Sequence, residues 1–431
     1  MHLDFATLDP HDPATGEQEH PAGQGRTRLR AFADAVSRGF HDAPLGDEPY
    51  ARWLRATVAD APRLSGAWVP QGEYGAGPAP VATFTSFAGE LSTGGAPLPL
   101  HMVTDVTVSP AHRRQGVLRR LMTEDLQHAV EQGRPLAGLT VSEGAIYGRF
   151  GFGVATWRAD VEVDVSSRFA LPGQERYGRL EVLDPADLWP LSRDLFEAWH
   201  RTARGSVSRP ALYEAMSRGE WNWEDQQPDP RLRGAVHLDA DGTPDGYVLY
   251  RHQGWDRPRT VRVQDLVGLT PRAELALWRF LADIDLTEVV RATTSPDDPL
   301  TWALADPQTR RVTGVRDHIW LRVLDVPRCL EARPWYGDGE VVLDVADPLG
   351  HATGRWRVAV RDGAATVSAV GGSGDGSEVR TDVSTLSALY LGGVGVGTLV
   401  AAGRITGDPG ALASWARMAD GGPTPWSRTS F

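Results

Sequence analysis

The sequence contains no lysine: the 44 residues counted as Lys plus Arg are all arginine, so the chain offers no ε-amine. Asparagine is reduced to Asn222 and cysteine to Cys329. A GC-rich genome that trades Lys and Asn codons for Arg and Asp codons accounts for two of these absences. The lone cysteine excludes an internal disulfide and a cysteine metal cluster, and it makes a reducing cytoplasm the simplest compartment. The 12 histidines are scattered without paired spacing, so no metal site is expected. No apolar run reaches the roughly 20 residues needed to cross a bilayer, and the N-terminal stretch lacks the apolar core of a secretion signal. No membrane partner is expected. Basic charge is in deficit: 44 basic against 56 acidic residues give a net charge of −12. That balance disfavours nucleic acid as a partner; it favours a cationic substrate, or simply serves solubility.

What is present reads as a multidomain α+β protein. A chain of 431 residues has room for two to four domains of about 100–200 residues each. Residues 1–27, rich in Pro, Gly, Asp and Glu, are expected to form a mobile extension. Residues 28–40 and 49–58 are helical in pattern, 81–87 and 102–108 alternate like strands, 116–131 is again helical, and 135–141 is a short apolar strand. Residues 159–315 repeat this order in degenerate form: strands at 234–238 and 247–250 around a turn-rich segment, a strand at 261–267, then a helix from Thr270. Residues 316–431 differ. They read as a strand at 318–325, hairpin strands at 340–345, 355–360 and 365–370, a flexible loop at 371–376, and helices at 383–391 and 411–419. Three domains are therefore predicted, 1–158, 159–315 and 316–431. The last nine residues, with two prolines and Trp426, read as an extended strip packed against something.

One run, from Val103 to Met122, carries the chemistry. Val106 and Val108 alternate with Asp105 and Thr107 as in a strand. Ser109-Pro110 ends the strand, since proline cannot donate to a ladder. Gly116 lets the backbone approach whatever lies above the helix start, and Leu118, Met122, Leu126 and Ala129 then recur at helical spacing. A helix N-terminus presents free N–H groups and partial positive charge, here flanked by Arg113, Arg114 and Arg119. This suits a pyrophosphate, and so a nucleotide-tailed cofactor. In the second copy the glycine and the paired arginines are missing. Glu274 stands near the phosphate position, where a carboxylate would repel the anion, so that copy is not expected to bind cofactor.

Arg113, Gly116 and, with a larger side chain than usual, Leu118 fit a pattern that resembles the acetyl-CoA site of the GNAT N-acetyltransferase superfamily. Three further features resemble the enhanced intracellular survival (Eis) branch of it: the stretch Ser142-Glu143-Gly144 followed by Ile146-Tyr147-Gly148-Arg149-Phe150-Gly151, the silent second copy, and a third domain similar to a sterol carrier fold with Leu386-Ser-Ala-Leu-Tyr-Leu-Gly-Gly393. The resemblance runs from about residue 30 to the end. It implies two tandem GNAT-like domains, the second degenerate, and a C-terminal sterol-carrier-like domain.

The same resemblance implies roles. The backbone of Val106, Thr107 and Val108 pairs with the pantetheine arm of acetyl-CoA, and an N–H near Val108 polarises the thioester carbonyl. The segment Arg114, Gln115, Gly116, Val117, Leu118 and Arg119 cradles the pyrophosphate through its amides. Ser142 and Glu143 form a second cofactor contact, with an ordinary helix cap as the alternative. Tyr147 is the general acid, with simple packing as its alternative. The terminal carboxylate of Phe431 is the base. An α-carboxyl of pKa ~3.5 is a poor match for an amine of ~10.4 until desolvation raises the first and lowers the second. The mycobacterial branch carries an acidic residue before the final Phe, where this chain has Ser430. Asp42 and Asp105 are candidates for negative charge in the acceptor pocket, and Tyr50 and Trp53 for its lining or for helix packing. Cys329 is remote from the motif, so transfer is expected to be direct, in a ternary complex. The implied acceptor is a small cationic amine, an aminoglycoside or polyamine, or a lysine side chain. The implied assembly is a homohexamer made of two trimers. The rival readings are a lipid-carrying scaffold that uses the third domain, and a protein N-terminal acetyltransferase.

Overall fold

The computed structural model describes residues 2–11, 28–222, 224, 226–371 and 378–431. Strand β1 (Asp4–Leu8) pairs antiparallel with β2 (Arg63–Trp68), which continues to β3 (Ala82–Leu91) and β4 (Leu98–Val108). β4 then runs parallel to β5 (Leu136–Thr140). A parallel pair needs a long crossover, and the helix Val117–Glu131 provides it. Val117, Leu121, Met122, Leu126 and Ala129 form the buried face of this helix and pack with Phe84, Val103 and Leu139. The short β6 (Gly153–Val154) lies at the far edge of the sheet.

The second sheet repeats the pattern. β7 (Trp157–Asp164) leads into it. β8 (Arg179–Leu183), β9 (Arg233–Leu238), β10 (Pro244–His252), β11 (Thr260–Gly268) and β12 (Val289–Thr294) then follow the order of β1 to β5, with β11 and β12 as the single parallel pair. β13 (Arg310–Asp317) forms its edge beside β7. The chain then returns: β14 (Ile319–Val323) inserts between β5 and β6 of the first sheet. The orders β5-β14-β6 and β12-β7-β13 are equivalent, so each sheet is completed by a strand that is continuous with a strand of the other.

Two expectations are corrected here. Residues 1–27 are not wholly an extension, because residues 4–8 form β1. Leu8 is 2% exposed and packs with Leu29, Phe32 and Leu64. Residues 12–27 lie outside the described residues. The boundary drawn at 316 is also displaced, because residues 319–323 belong to the first sheet. Alternation in a sequence predicts a strand but not its partner.

The third unit is a five-stranded sheet made of Gly339–Ala346, Gly354–Arg361, Ala364–Ala369, Glu378–Asp382 and Ile405–Gly407. The helices Val383–Leu389 and Pro409–Ala419 cover it. Its interior is filled by Tyr390, Trp415 and Trp335, the two indoles 5.3 Å apart. Arg322 of β14 is fully buried and donates to Asp347 at 2.7 Å, locking the first sheet to this unit. Breaking such a pair from one side leaves a buried charge and costs about 3–5 kcal/mol. Residues 372–376 of the expected loop lie outside the described residues.

Candidate active site

β4 and β5 are paired only as far as Val103 opposite Leu139. Beyond that point the two parallel strands part. The register of β4 against β3 shifts between Thr83 and Thr85, a bulge centred near Asp105, whose φ is +52°. A bulge bends its strand, and here it turns residues 106–108 away from β5. The result is a fork floored by Val106 to Val108, with backbone that no neighbouring strand takes up on the β5 side. A Cβ on Gly39, at the end of the helix Arg28–Gly39, would lie 2.3 Å from Thr107, so the segment that follows this helix lies close over the fork.

The loop after β4 is shaped for an anion. Arg114 (φ +62°) and Gly116 (φ +80°) are both left-handed, and Gly116 occupies the N-cap position of the helix Val117–Glu131 without a side-chain cap. The amides of residues 114–119 have no acceptor among the described residues. The space above Gly116 is open, and Arg113, Arg114 and Arg119 are exposed around it. Arg113 Nε donates to the carbonyl of Val108 at 3.3 Å, tying this loop to the fork. Uncapped amides, positive charge and free space fit a pyrophosphate.

At the end of β5, Ser142 and Glu143 are exposed. Glu143, not Ser142, occupies the N-cap position of the short helix Gly144–Tyr147, and no side-chain cap bond forms. The cap alternative for Ser142 therefore has no support. Tyr147 is 6% exposed, edge-on to Phe152 at 6.3 Å. Burial, and then the charge of Glu143, push its phenol up to about 12, so it keeps its proton at neutral pH.

The chain end reaches this fork from a distance. Residues 423–431 run extended along the second sheet before entering the first. Trp426 N–H donates to the carbonyl of Arg204 at 3.0 Å, and the Thr429 hydroxyl donates to the carbonyl of Val207 at 2.9 Å. Arg428 lies over the rings of Trp199 and Trp426, and its guanidinium is 3.5 Å from Glu274. Ser430 N–H donates to the Tyr213 hydroxyl at 2.8 Å, which in turn donates to the Ser430 carbonyl at 3.2 Å. His318 Nε2 is 2.9 Å from the Ser430 hydroxyl, and burial pushes this imidazole down to about 3, keeping it neutral. Finally, the Thr140 hydroxyl donates to the terminal carboxylate of Phe431, and the Phe431 ring packs edge-on against Phe87 at 6.2 Å. Thr140 directly follows the last β4–β5 pair, so the carboxylate lies at the apex of the fork.

The second sheet opens in the same way. β11 and β12 share three pairs, the last being Arg262 with Arg291, and then part around a cavity of about 500 Å³. Tail residues Ser427, Arg428 and Ser430 line this cavity. The fork that would hold a cofactor in a working copy instead guides the chain end. Glu274, part-buried and with its carboxyl pushed up by desolvation, faces Arg428 rather than a phosphate.

Other candidates fall outside this arrangement. Asp42 is exposed and accepts from Gln226 Nε2 at 3.1 Å. Tyr50 and Trp53 stack at 5.8 Å, and Tyr50 lies under Arg30, so both rings pack. Asp105 sits in the bulge beside Thr85, with burial pushing its carboxyl up to about 6. Cys329 is buried, its thiol donates to the carbonyl of Pro135, and burial pushes its pKa up, which suits packing rather than attack. Thr140, Tyr213, His318 and Arg158 hold the chain end, but nothing in their local sequence marks them. Their role depends on a segment more than a hundred residues away in each case.

Comparison with known proteins gives the class. Residues 26–155 and 214–323 each match a family described as an acetyltransferase (GNAT) domain, and residues 326–428 match a sterol carrier protein domain. The fold is thus two GNAT domains followed by a sterol carrier domain. An uncharacterized N-acetyltransferase of Streptomyces griseus is 36% identical over 94% of this chain and 93% of its own length. N-acetyltransferase Eis of Mycobacterium tuberculosis is 33% identical over 72% of this chain and 74% of its own. The crystal structure of Eis1 from Mycobacterium abscessus superposes with a TM-score of 0.82 at 29% identity, covering 99% of this chain and all of that one. The chain belongs to the Eis family of GNAT N-acetyltransferases, which transfer an acetyl group from acetyl-CoA to an amine. Among the described residues there is no cluster of three metal-ligating side chains, and no helix is long and apolar enough to cross a membrane.

Proposed function

We propose that this enzyme acetylates a primary amine by direct transfer, with the terminal carboxylate of Phe431 as base and the phenol of Tyr147 as acid. The observation that carries the reading is the seat of the Phe431 carboxylate on Thr140, at the apex of the β4–β5 fork. The amides of residues 114–119 would hold the pyrophosphate, and Ser142 and Glu143 would border the cofactor on the other side. The backbone of Val106 to Val108 would align the pantetheine arm, with an amide near Val108 aimed at the thioester oxygen. One such donor lowers a barrier by roughly 2.7–4 kcal/mol. The amine nitrogen bonds to the thioester carbon and its proton passes to the Phe431 carboxylate. As the carbon–sulfur bond breaks, the departing thiolate takes the Tyr147 proton. Burial of Tyr147 supports this direction of transfer, because a phenol near 12 gives a proton only where negative charge develops.

The family resemblance extends this reading to a homohexamer of two trimers working in the cytoplasm. It also points to small polycations or lysine side chains as acceptors; the relatives' names specify none. The packed aromatic interior of the third unit supports the enzyme reading over a lipid carrier. The test is release of CoA thiol from acetyl-CoA in the presence of amines. The native chain should turn over, and a chain extended by two glycines after Phe431 should bind acetyl-CoA without turning over. Equal turnover by both removes the carboxylate from the reaction.

A further inference from the structure

Two buried arginines come together where the second GNAT domain meets the third unit. Arg204 follows the helix Pro185–His200 and Arg333 follows the helix Val326–Ala332; each is 3% exposed. Arg204 Nη1 donates to the carbonyl of Gly421 at 2.7 Å and to the Tyr336 hydroxyl at 3.0 Å. Arg333 Nη2 donates to the carbonyl of Ala419 at 2.6 Å, and its Nε to that of Pro334 at 3.2 Å. Among the described residues no carboxylate acts on Arg204. Asp420, which acts on Arg333, lies beyond salt-bridge distance and turns both oxygens to Val396 N–H, each at 3.1 Å. Three donors are buried here without a hydrogen-bond partner among the described residues: Arg204 Nε, Arg204 Nη2 and the hydroxyl of Tyr390. Nε and Nη2 form one edge of the guanidinium, the edge that can grip a single acceptor with two N–H groups. Tyr390 ends the helix Val383–Leu389 and is fully buried. Two residues on, the backbone of Gly392 lies against the same edge, since a Cβ there would stand 2.8 Å from Nη2. A Cβ on Gly422 would stand 2.8 Å from Nη1.

Buried donors are as a rule hydrogen-bonded, and buried charges are paired. Water would serve the three donors but leave the charge. Burial, and then Arg204, push the Arg333 guanidinium down to about 10, and burial holds Arg204 below its ordinary value. Both stay protonated at neutral pH. Tyr390 and Cys329 do not offset them, because burial pushes the phenol and the thiol up and keeps both neutral. Two positive charges thus stand against the one carboxylate of Asp420. We propose that a halide ion, chloride under ordinary conditions, binds at this junction, held by Nε and Nη2 of Arg204 and the hydroxyl of Tyr390, with Arg333 adding positive charge. The glycine backbone that closes over Arg204 suits a monatomic anion and crowds a phosphate or sulfate. The site stands at the root of the tail: the Gly421 carbonyl accepts from Arg204, and the Arg204 carbonyl accepts from Trp426 N–H at 3.0 Å. On the reading that Phe431 is the base, the halide therefore steadies that base through the tail.

Unfolding midpoints test the site in solution. The full chain is melted as sodium chloride or bromide replaces sodium gluconate at constant ionic strength, beside Arg204→Gln and Tyr390→Phe. A ligand that binds only the folded state stabilises it by mass action, so at about 300 mM halide the native midpoint should stand roughly 2–4 °C higher, along a saturating curve. General salt effects act on native and variant chains alike, so the difference between them reads the site. The halide response should vanish in Arg204→Gln and shrink in Tyr390→Phe, which loses one hydroxyl and keeps its ring; if Arg204→Gln fails to fold, Tyr390→Phe carries the comparison. Sulfate at the same ionic strength should give no difference between native and variant. Crystals grown in bromide should show anomalous density within hydrogen-bonding reach of Arg204 Nε and Nη2. A halide response equal in native and variant chains, a variant-sensitive response to sulfate alone, or no bromide at Arg204 overturns the inference. Bromide in the crystal without a midpoint response overturns it too. Turnover at saturating acetyl-CoA should follow the same halide curve; turnover that ignores halide while the midpoint responds overturns the link to the Phe431 tail and leaves the anion site standing.

Discussion

The Thr140 hydroxyl donates to the terminal carboxylate of Phe431 across 291 positions of sequence. The contact joins the first residue of β5 beyond its pairing with β4 to Phe431. The path between them uses the second GNAT domain, whose own fork has lost its phosphate loop and holds the tail instead. In the proposed mechanism the second copy is thus a positioning element for the first. Because β7 and β14 complete each other's sheets, the two forks are held by continuous strands rather than by surface contact alone.

Thr140→Val should keep the fold and loosen the chain end. A hydrogen bond to a charged group contributes about 1.5–3 kcal/mol, so kcat should fall roughly ten- to a hundredfold while acetyl-CoA binding stays within about twofold. Steady-state kinetics paired with calorimetry reads both quantities. Unchanged kcat would show that the carboxylate needs no anchor at Thr140.

Tyr147→Phe retains the ring that packs against Phe152 and removes only the hydroxyl. If the phenol is the acid, kcat should drop by about 10²–10⁴, with little change in cofactor affinity. The native enzyme should also show no loss of rate from phenol ionisation up to pH 10, since Tyr147 is held near 12. An alkaline limb near pH 8 that disappears in the Phe variant would contradict that protonation state.

The local parts of this architecture were legible in the sequence because they are written locally. The alternation of Val106 and Val108, the stop at Pro110 and the helical recurrence from Leu118 to Ala129 each need only a few neighbouring residues, and the strand, loop and helix stand where those patterns put them. Glu274, which marks the departure of the second copy from the first, faces Arg428. Partners at long range could not be read. Residues 319–323 read as a strand, yet nothing in them says that they complete the first sheet and not the third unit. Leu8 reads as part of a polar terminus until its contact with Phe32 is seen. Trp426 and the tail prolines announced packing but not the fork they occupy.

Gly116→Ala tests the phosphate loop. At φ +80° a side chain is strained whatever the free space above it, at roughly 1–2 kcal/mol for a non-glycine residue in the left-handed region. The loop should relax and misalign the amides of Val117 to Arg119. The Kd for CoA should rise about tenfold, with kcat at saturating acetyl-CoA much less affected, and calorimetry distinguishes the two. An unaltered Kd would mean that the diphosphate does not sit on this helix start.

Asp105→Asn should stabilise the protein at neutral pH. Burial pushes this carboxyl up to about 6, against ~3.9 in an unfolded chain. Between those values the folded chain binds more protons than the unfolded one, so stability falls as pH rises through the window, and the full cost is present at pH 7 and above. Replacing the carboxylate by an amide removes the ionisation, and asparagine tolerates the positive φ of this bulge. Allowing for partial solvent access, the gain should be about 1–2 kcal/mol at pH 7.5 and close to zero near pH 4. Urea midpoints of the two proteins at both pH values measure it. An equal gain at pH 4 would assign the effect to backbone preference, and a loss at pH 7.5 would mean that the bulge depends on the charge it buries.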